Sequence, residues 1–287
     1  MTNLAPEKPK GVGIGLRPPH YETIVETPRR LDWLEIVPEN FVDNAGYAKR
    51  TLRACAERWQ VIAHGVSMNL GGRDPFDDAY VAGLKALLDE LDAPYYTDHL
   101  CYASIGGVAY HDLLPLPFTE EAVKHTAGRI RELADRLERP VGVENISFYA
   151  FMPGGDMTHG EFVTAVTEEA DCGILLDVNN VFVNATNHGG DPSEWLRALP
   201  LHRTMQMHIA GHVEDEGRLL DNHGRPIVSG VFDLFREALE LVGSVPVLLE
   251  WDTDIPDLDR VLDEADAVRE IFHAVLGPEA STGSDAA

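Results

Sequence analysis

Short apolar runs recur along the chain, separated by longer stretches whose apolar positions fall on one helical face. Eight of the runs read as strands: Val12–Arg17, Leu31–Val37, Val61–Ser67, Tyr95–Leu100, Val141–Ile146, Gly173–Val178, Thr204–Ile209 and Val245–Trp251. Over Glu120–Leu137 the residues Ala122, Ile130, Leu133, Ala134 and Leu137 share a face, which predicts a helix. A second helix opens at Asp191-Pro192-Ser193-Glu194, an N-cap with proline at the first helical position and glutamate at the third. A third covers Val231–Val242, and Leu258–Leu276 closes the series. Strands alternating with helices in this way over 287 residues predict an α/β fold, a (β/α)8 barrel of the TIM type rather than an open doubly wound sheet. The expected organisation is one domain over residues 11–276, with loose tails at 1–10 and 277–287. No GxGxxG follows the first strand, because the glycines of Gly11–Gly15 lie within it.

Polar residues interrupt this pattern where strands should finish. His64, His99, Glu144, Asp177, His208 and Glu250 end the third to eighth strands in order. The C-terminal strand ends of a barrel converge on one mouth, so all six should meet there. Carboxylates gathered that closely repel one another unless protonated or neutralised by cations. Imidazole with carboxylate and no thiolate suits zinc, manganese or non-haem iron. Singly, each residue is as well explained by a satisfied structural histidine or a capping carboxylate; one at each of six successive strand ends is not. Asp221 and His223, in the loop after the seventh strand, are further candidate ligands. His212 is a candidate proton shuttle, and Asn145, Asn180 and Asp252 are candidates to orient ligands. His188 and Asn184 fall in Asn184–Gly190, read as a loop over the mouth that touches substrate. His20, His111, His125, His159, His202 and His273 have no strand-end placement and read as surface or helix residues.

Composition narrows the function. The formal net charge of −25 disfavours a nucleic-acid partner, since phosphate binding needs a basic surface. No apolar run is long enough to span a membrane, and the first ten residues lack a signal-peptide core, so a cytoplasmic location is expected. Three cysteines, Cys55, Cys101 and Cys172, with no CxxC, argue against a disulfide framework or a thiolate metal site. A metal-dependent sugar isomerase or phosphodiesterase on the same barrel is the alternative reading, although no lysine ends a predicted strand to act on a sugar.

Two resemblances enter on these residues. The ligand order is similar to that of the trinuclear-zinc apurinic endonucleases and their xylose-isomerase-like relatives. That resemblance implies that Glu144 bridges two ions, that His64 and His99 hold one, that Asp177, His208 and Glu250 hold the next, and that Asp221 and His223 belong to a third. Asn180 stands where those nucleases carry a histidine, which makes it a weaker candidate ligand and the third position differently filled. The chain more closely resembles the multinuclear non-haem iron-dependent oxidative enzymes, which include the iron subunit of methanobactin biosynthesis. The blocks are Gly13–Arg17, Leu34–Phe41, His64–Ser67, Asp98–Leu100, Val143–Asn145, Asp177–Asn180, His208–His212 and Glu250–Asp252, from about Gly11 to Phe272. This resemblance implies a di- or tri-iron centre of mixed Fe(II)/Fe(III) state, dioxygen as co-substrate, and oxidation of a ribosomally made precursor peptide, often at cysteine. It also implies a small partner protein that binds the leader peptide. Only residues 277–287 follow the closing helix, so leader binding is expected from another chain or from the barrel surface itself.

Overall fold

The computed structural model describes residues 7–277. Of the expected tails, residues 1–6 and 278–287 lie outside the described residues. Eight parallel strands close into a barrel: β1 (Val12–Gly15), β2 (Trp33–Ile36), β3 (Gln60–Gly65), β4 (Tyr96–His99), β7 (Val141–Glu144), β8 (Gly173–Asp177), β9 (Thr204–Ile209) and β12 (Val247–Leu249). The order around the ring is β1-β12-β9-β8-β7-β4-β3-β2, so the first strand pairs with the last, Val12 opposite Val247. Each strand coincides with an apolar run read from the sequence.

Eight helices surround the barrel: α1 (Tyr47–Ala56), α2 (Asp78–Glu90), α3 (Glu120–Leu137), α4 (His159–Ala170), α5 (Val178–His188), α6 (Pro192–Arg197), α7 (Ser229–Val242) and α8 (Leu258–Leu276). α6 starts as its sequence dictates, with the Asp191 side chain accepting from Ser193 N and Glu194 N. β1 is followed by two 3-10 turns, Pro18–His20 and Ile24–Glu26, in place of an α-helix. His20 sits in the first of these, buried, with Nε2 2.9 Å from Pro256 O. No described helix is long and apolar enough to cross a membrane.

Two antiparallel hairpins, absent from the sequence reading, rise at the mouth: β5 (Tyr102–Ile105) with β6 (Val108–Leu114), and β10 (Val213–Asp215) with β11 (Arg218–Leu220). A further departure is α5. Its helix runs to His188 and takes in Asn184, where a loop was expected.

Period-two alternation sorts the barrel strands except β9, where a shift of register against β8 at Ile174/Leu175 turns Met205 inward although Met207 faces out. Leu34, Ala63, Tyr96, Val143, Leu176, Met207 and Leu249 pack outward in the main core shared with the helices. Trp33, Ile62, Tyr95, Met205 and Leu248 form a separate cluster that fills the barrel interior. Gly13 makes room for Trp33, since a Cβ there would lie 2.5 Å from the indole ring. Stepping two residues toward the C-terminus from the interior position carries each strand from that apolar plug to polar residues: Trp33 to Glu35, Ile62 to His64, Leu248 to Glu250. The plug seals one end, and the other end holds the chemistry.

Candidate metal centre

The six strand-end residues do meet. His64 Nε2 lies 2.9 Å from Glu144 Oε2, and His99 Nε2 lies 3.2 Å from the same oxygen. Each ring is committed through its other nitrogen: His64 Nδ1 is 2.9 Å from Thr97 Oγ1, and His99 Nδ1 is 3.1 Å from Gly65 O. Both therefore present Nε2 to Glu144, the usual arrangement of a metal-ligating histidine held by an outer partner. On the other side, His208 Nδ1 approaches Glu250 Oε2 at 2.9 Å, and His223 lies 3.2 Å from that oxygen and 4.0 Å from Asp177 Oδ2.

Three groups in which single donor atoms lie within 4.8 Å of one another join end to end: His64, His99 and Glu144; Glu144, Asp177 and His208; Asp177, His223 and Glu250. Glu144 and Asp177 are each shared. A fourth group joins Glu35 to His208 and Glu250.

The donor atoms themselves point to cations. Glu144 Oε2, Asp177 Oδ2, Asn180 Oδ1, His208 Nδ1 and His223 Nε2 are all buried and, apart from histidine–carboxylate contacts among the candidate ligands themselves, have no hydrogen-bond partner. Buried polar atoms are normally satisfied, and five orphans aimed at one region are the signature of ligands that share metal ions. The nitrogen and oxygen donor set fits a divalent or trivalent first-row metal.

The electrostatics of the metal-free chain show the same need. Burial pushes Asp177 well above the usual carboxylate range, and the negative charge of Glu144 adds to this. Burial also opposes ionisation of Glu144, but His99 and His64 hold it down to about 2. His64 is penalised by burial yet raised to about 9 by Glu144. A proton on His64 thus stands where a cation would sit.

The remaining candidates surround this core. Asn145 clamps the backbone of Asp177, accepting from its N at 3.0 Å and donating to its O at 2.9 Å. Asn180 donates to Glu144 Oε1 at 3.2 Å, while its N donates to Asp177 Oδ1. Asp221 Oδ1 is 2.6 Å from His223 Nε2 and accepts from Asn179. His212 stacks on Phe182 and meets Asn179 Oδ1 at 2.7 Å, so it reaches Asp221 through one asparagine. Asp252 joins His223 Nδ1 (3.3 Å) to Arg17, from which it accepts twice. His223 takes a left-handed backbone (φ 46°), a conformation that non-glycine residues hold only under constraint and that gathers at functional sites.

Asn184 and His188 do not line the mouth. Asn184 is fully buried and bonds Phe148 N and Ile146 O, and His188 Nε2 lies 3.1 Å from Phe148 O. They secure the loop after β7. The helical phase explains it: Asn180, Asn184 and Asn187 are spaced four and three apart on one face of α5. Asn187 in turn exchanges two hydrogen bonds with Leu219 of β11. All three cysteines are free and buried.

Two residues of the centre escaped the sequence reading. Arg17 ends β1 as the ligands end their strands, but its type is not a ligand's; it lies buried, 3.4 Å from Glu250 and 2.6 Å from Asp252. Gly15 lets it lie flat, since a Cβ there would be 2.7 Å from the guanidinium carbon. Glu35 sits in mid-strand, and only the alternation of β2, inward at Trp33 and again two residues on, would have revealed it. Above the cluster opens a cavity of about 770 Å³, walled by Ser104, Ala109 and Leu113 of the first hairpin and by Ser147, Asp221 and Thr253 opposite.

Residues 11–273 match the family described as RiPP precursor modification enzyme MbnB/TglH/ChrH. A UPF0276 protein of Shewanella sediminis is 44% identical over 266 residues, covering 92% of this chain and 95% of the relative. Another, from Caulobacter vibrioides, is 40% identical over 260 residues, with coverage of 90% and 93%. Among solved structures, a D-psicose 3-epimerase from Clostridium cellulolyticum H10 aligns with TM-score 0.59 at 14% identity, over 93% of this chain and 99% of that one. A xylose isomerase-like TIM barrel protein from Mycobacterium smegmatis, in complex with magnesium, aligns with TM-score 0.59 at 13% identity, over 93% and 98%. At such identities the likeness is one of fold. The match across nearly the whole barrel, together with relatives of 40% identity or more, decides the family: the chain belongs to the RiPP precursor modification enzymes MbnB/TglH/ChrH.

Proposed function

We propose that this protein is an iron- and dioxygen-dependent enzyme that oxidises a ribosomally made peptide, at cysteine. The observation that carries the proposal is the run of adjoining buried donor groups His64, His99, Glu144, Asp177, His208, His223 and Glu250, in a chain of a peptide-modifying family. Two or three ions would be held, with His64, His99 and Glu144 around one, Glu144, Asp177 and His208 around the next, and Asp177, His223 and Glu250 around a third. Iron supplies one-electron redox chemistry and acidifies a thiol that binds to it.

The chain's own residues do the rest. Asn145 and Asn180 fix the Asp177 and Glu144 carboxylates. Arg17 offsets the surplus negative charge of Glu250 and Asp252. His212, linked through Asn179 to Asp221, is placed to move a proton at the rim. The cavity is wide enough for a peptide residue, and the one arginine or lysine among its lining residues, Arg17, is committed to Glu250 and Asp252 rather than free for a phosphate backbone. A small second protein would deliver the peptide, in the cytoplasm.

The test is anaerobic reconstitution with Fe(II), elemental analysis, and co-expression with the short reading frames beside its gene, followed by mass spectrometry of the peptides. At least two irons per chain and an oxygen-dependent mass change are expected. An unaltered peptide mass with iron loaded and dioxygen present, or epimerisation of a ketohexose by the same preparation, would overturn the assignment.

A further inference from the structure

One buried carboxylate of the barrel does not face the shared donor region. Glu35, on β2, is 1% exposed. Its Oε2 accepts from Gln206 Nε2 at 2.5 Å and lies 3.1 Å from His208 Nε2. Gln206 is held from below, where Tyr95 OH donates to its Oε1 at 2.8 Å. Gln206 Nε2 also lies 2.9 Å from His208 Nε2; an amide nitrogen only donates, so this contact is a hydrogen bond only while Nε2 is unprotonated, and a proton on Nε2 turns both nitrogens onto the Glu35 oxygen. The opposite nitrogen of His208, Nδ1, is the one without a hydrogen-bond partner, and it faces Glu250.

We infer that Glu35 is a positioning residue, whose carboxylate accepts the Nε2–H of His208 and so commits that ring to offer Nδ1 to a metal ion. The inference rests on the reading of His208 as a ligand. The physical case has three parts. A neutral imidazole carries one proton, so an acceptor fixed at Nε2 settles the tautomer and leaves the Nδ1 lone pair free. An anionic acceptor strengthens the hydrogen bond and pushes electron density toward the donating nitrogen. In a fully buried site no water can take over this task, because Glu35, Gln206 and His208 are all at or below 1% exposure.

Glu35 could instead be read as a ligand, because it falls in a group with His208 and Glu250. The geometry points elsewhere. Its Oε2 is held by the Gln206 amide, whereas Glu144 Oε2 and Asp177 Oδ2 face histidine nitrogens, at 2.9 to 4.0 Å. It also approaches His208 from the nitrogen turned away from Glu250. His64 and His99 are secured by a hydroxyl and a carbonyl respectively. His208 alone of the three is backed by a carboxylate, which sets its metal position apart electronically from that of His64 and His99.

The experiment titrates Co(II) and Zn(II) into the metal-free full-length chain and its Glu35→Gln, Glu35→Ala and His208→Ala variants. Circular dichroism checks the fold, and the glutamine variant keeps the shape of the side chain should alanine fail to fold. Both Glu35 variants are expected to bind the wild-type number of ions. One ion should be weakened roughly 10- to 100-fold, the range for loss of such an outer partner, with a shifted Co(II) absorption spectrum. Nitrogen-15 NMR of the zinc form should show His208 protonated at Nε2 in the wild type, and a changed Nε2 signal in the variants. Loss of a whole ion in Glu35→Gln, as in His208→Ala, would make Glu35 a ligand and overturn the inference. Unchanged affinity, spectrum and ring signal in both variants would also overturn it while leaving the metal centre intact. A wild-type chain that takes up neither metal would bring down the metal reading itself, and this inference with it.

Discussion

Glu144 is where two of the candidate metal positions meet, whereas His99 belongs to one. Glu144→Ala should therefore lose more metal than His99→Ala by elemental analysis, with the barrel still folded because Val141 and Val143 supply the outward packing of β7. Equal metal content in the two variants would refute the shared role. A second residue-level expectation concerns His159, which is stacked on Trp195 and tilted against Phe118 and Phe148. Burial, with a smaller push from His188, holds its pKa down to about 4. In the unfolded chain it returns to roughly 6.5. Between these values the unfolded state holds the proton and the folded state does not, so stability falls as pH drops through that window. By pH 5 the loss amounts to about 2 kcal/mol. Replacing the ring by phenylalanine (His159→Phe) should shrink the stability difference between pH 7 and pH 5 by about that amount, as read from urea unfolding; an unchanged difference would refute it. Legibility at this scale follows residue type and place. His64, His99, Glu144, Asp177, His208 and Glu250 are visible because each breaks an apolar run at its end. Glu35 hides inside such a run, and Arg17 carries the wrong charge for a ligand.

At the scale of elements, the barrel strands and the long helices α3 and α8 are legible because a single periodicity governs each one from end to end. The hairpins are not. The Gly106-Gly107 turn, with φ of 59° and 75°, carries the signal of a two-residue hairpin. Yet β5 and β6 lack a polar outer face: Ile105, Val108 and Tyr110 are exposed, and the inner face looks into the mouth. α5 was misjudged for a related reason. Its asparagines resemble loop composition, but they form a helical face that ties down two neighbouring loops. Asn187 gives the second hairpin two hydrogen bonds, each contributing about 1 kcal/mol. Asn187→Ala should keep α5, since alanine favours helix, and speed amide exchange over β10–β11 and the following loop by about 30-fold. It should also weaken metal binding at the position that draws on Asp221 and His223 while sparing the others. Exchange rates matching the wild type would show that the hairpin is held by other contacts.

Across the whole molecule, the net charge of −25 and the crowded carboxylates of the mouth act together: the folded chain carries more negative charge than its own basic residues offset, and cations held at the mouth would relieve the part that is buried. The ring itself is closed by strands from opposite ends of the chain. β1 pairs with β12, and beside that junction Arg17 binds Asp252 across 235 residues of sequence. Contacts so distant in sequence form slowly, because the intervening loop entropy must be lost before they return anything. Each candidate metal position draws on neighbouring strands, β3-β4-β7, β7-β8-β9 and β8-β9-β12, whereas the contacts of Arg17 with Glu250 and Asp252 and of Glu35 with His208 need the ring closed through β1. Metal would thus staple neighbouring strands before the ring is finished, and the latch that closure adds would be the reach of Arg17 and Glu35 across the seam.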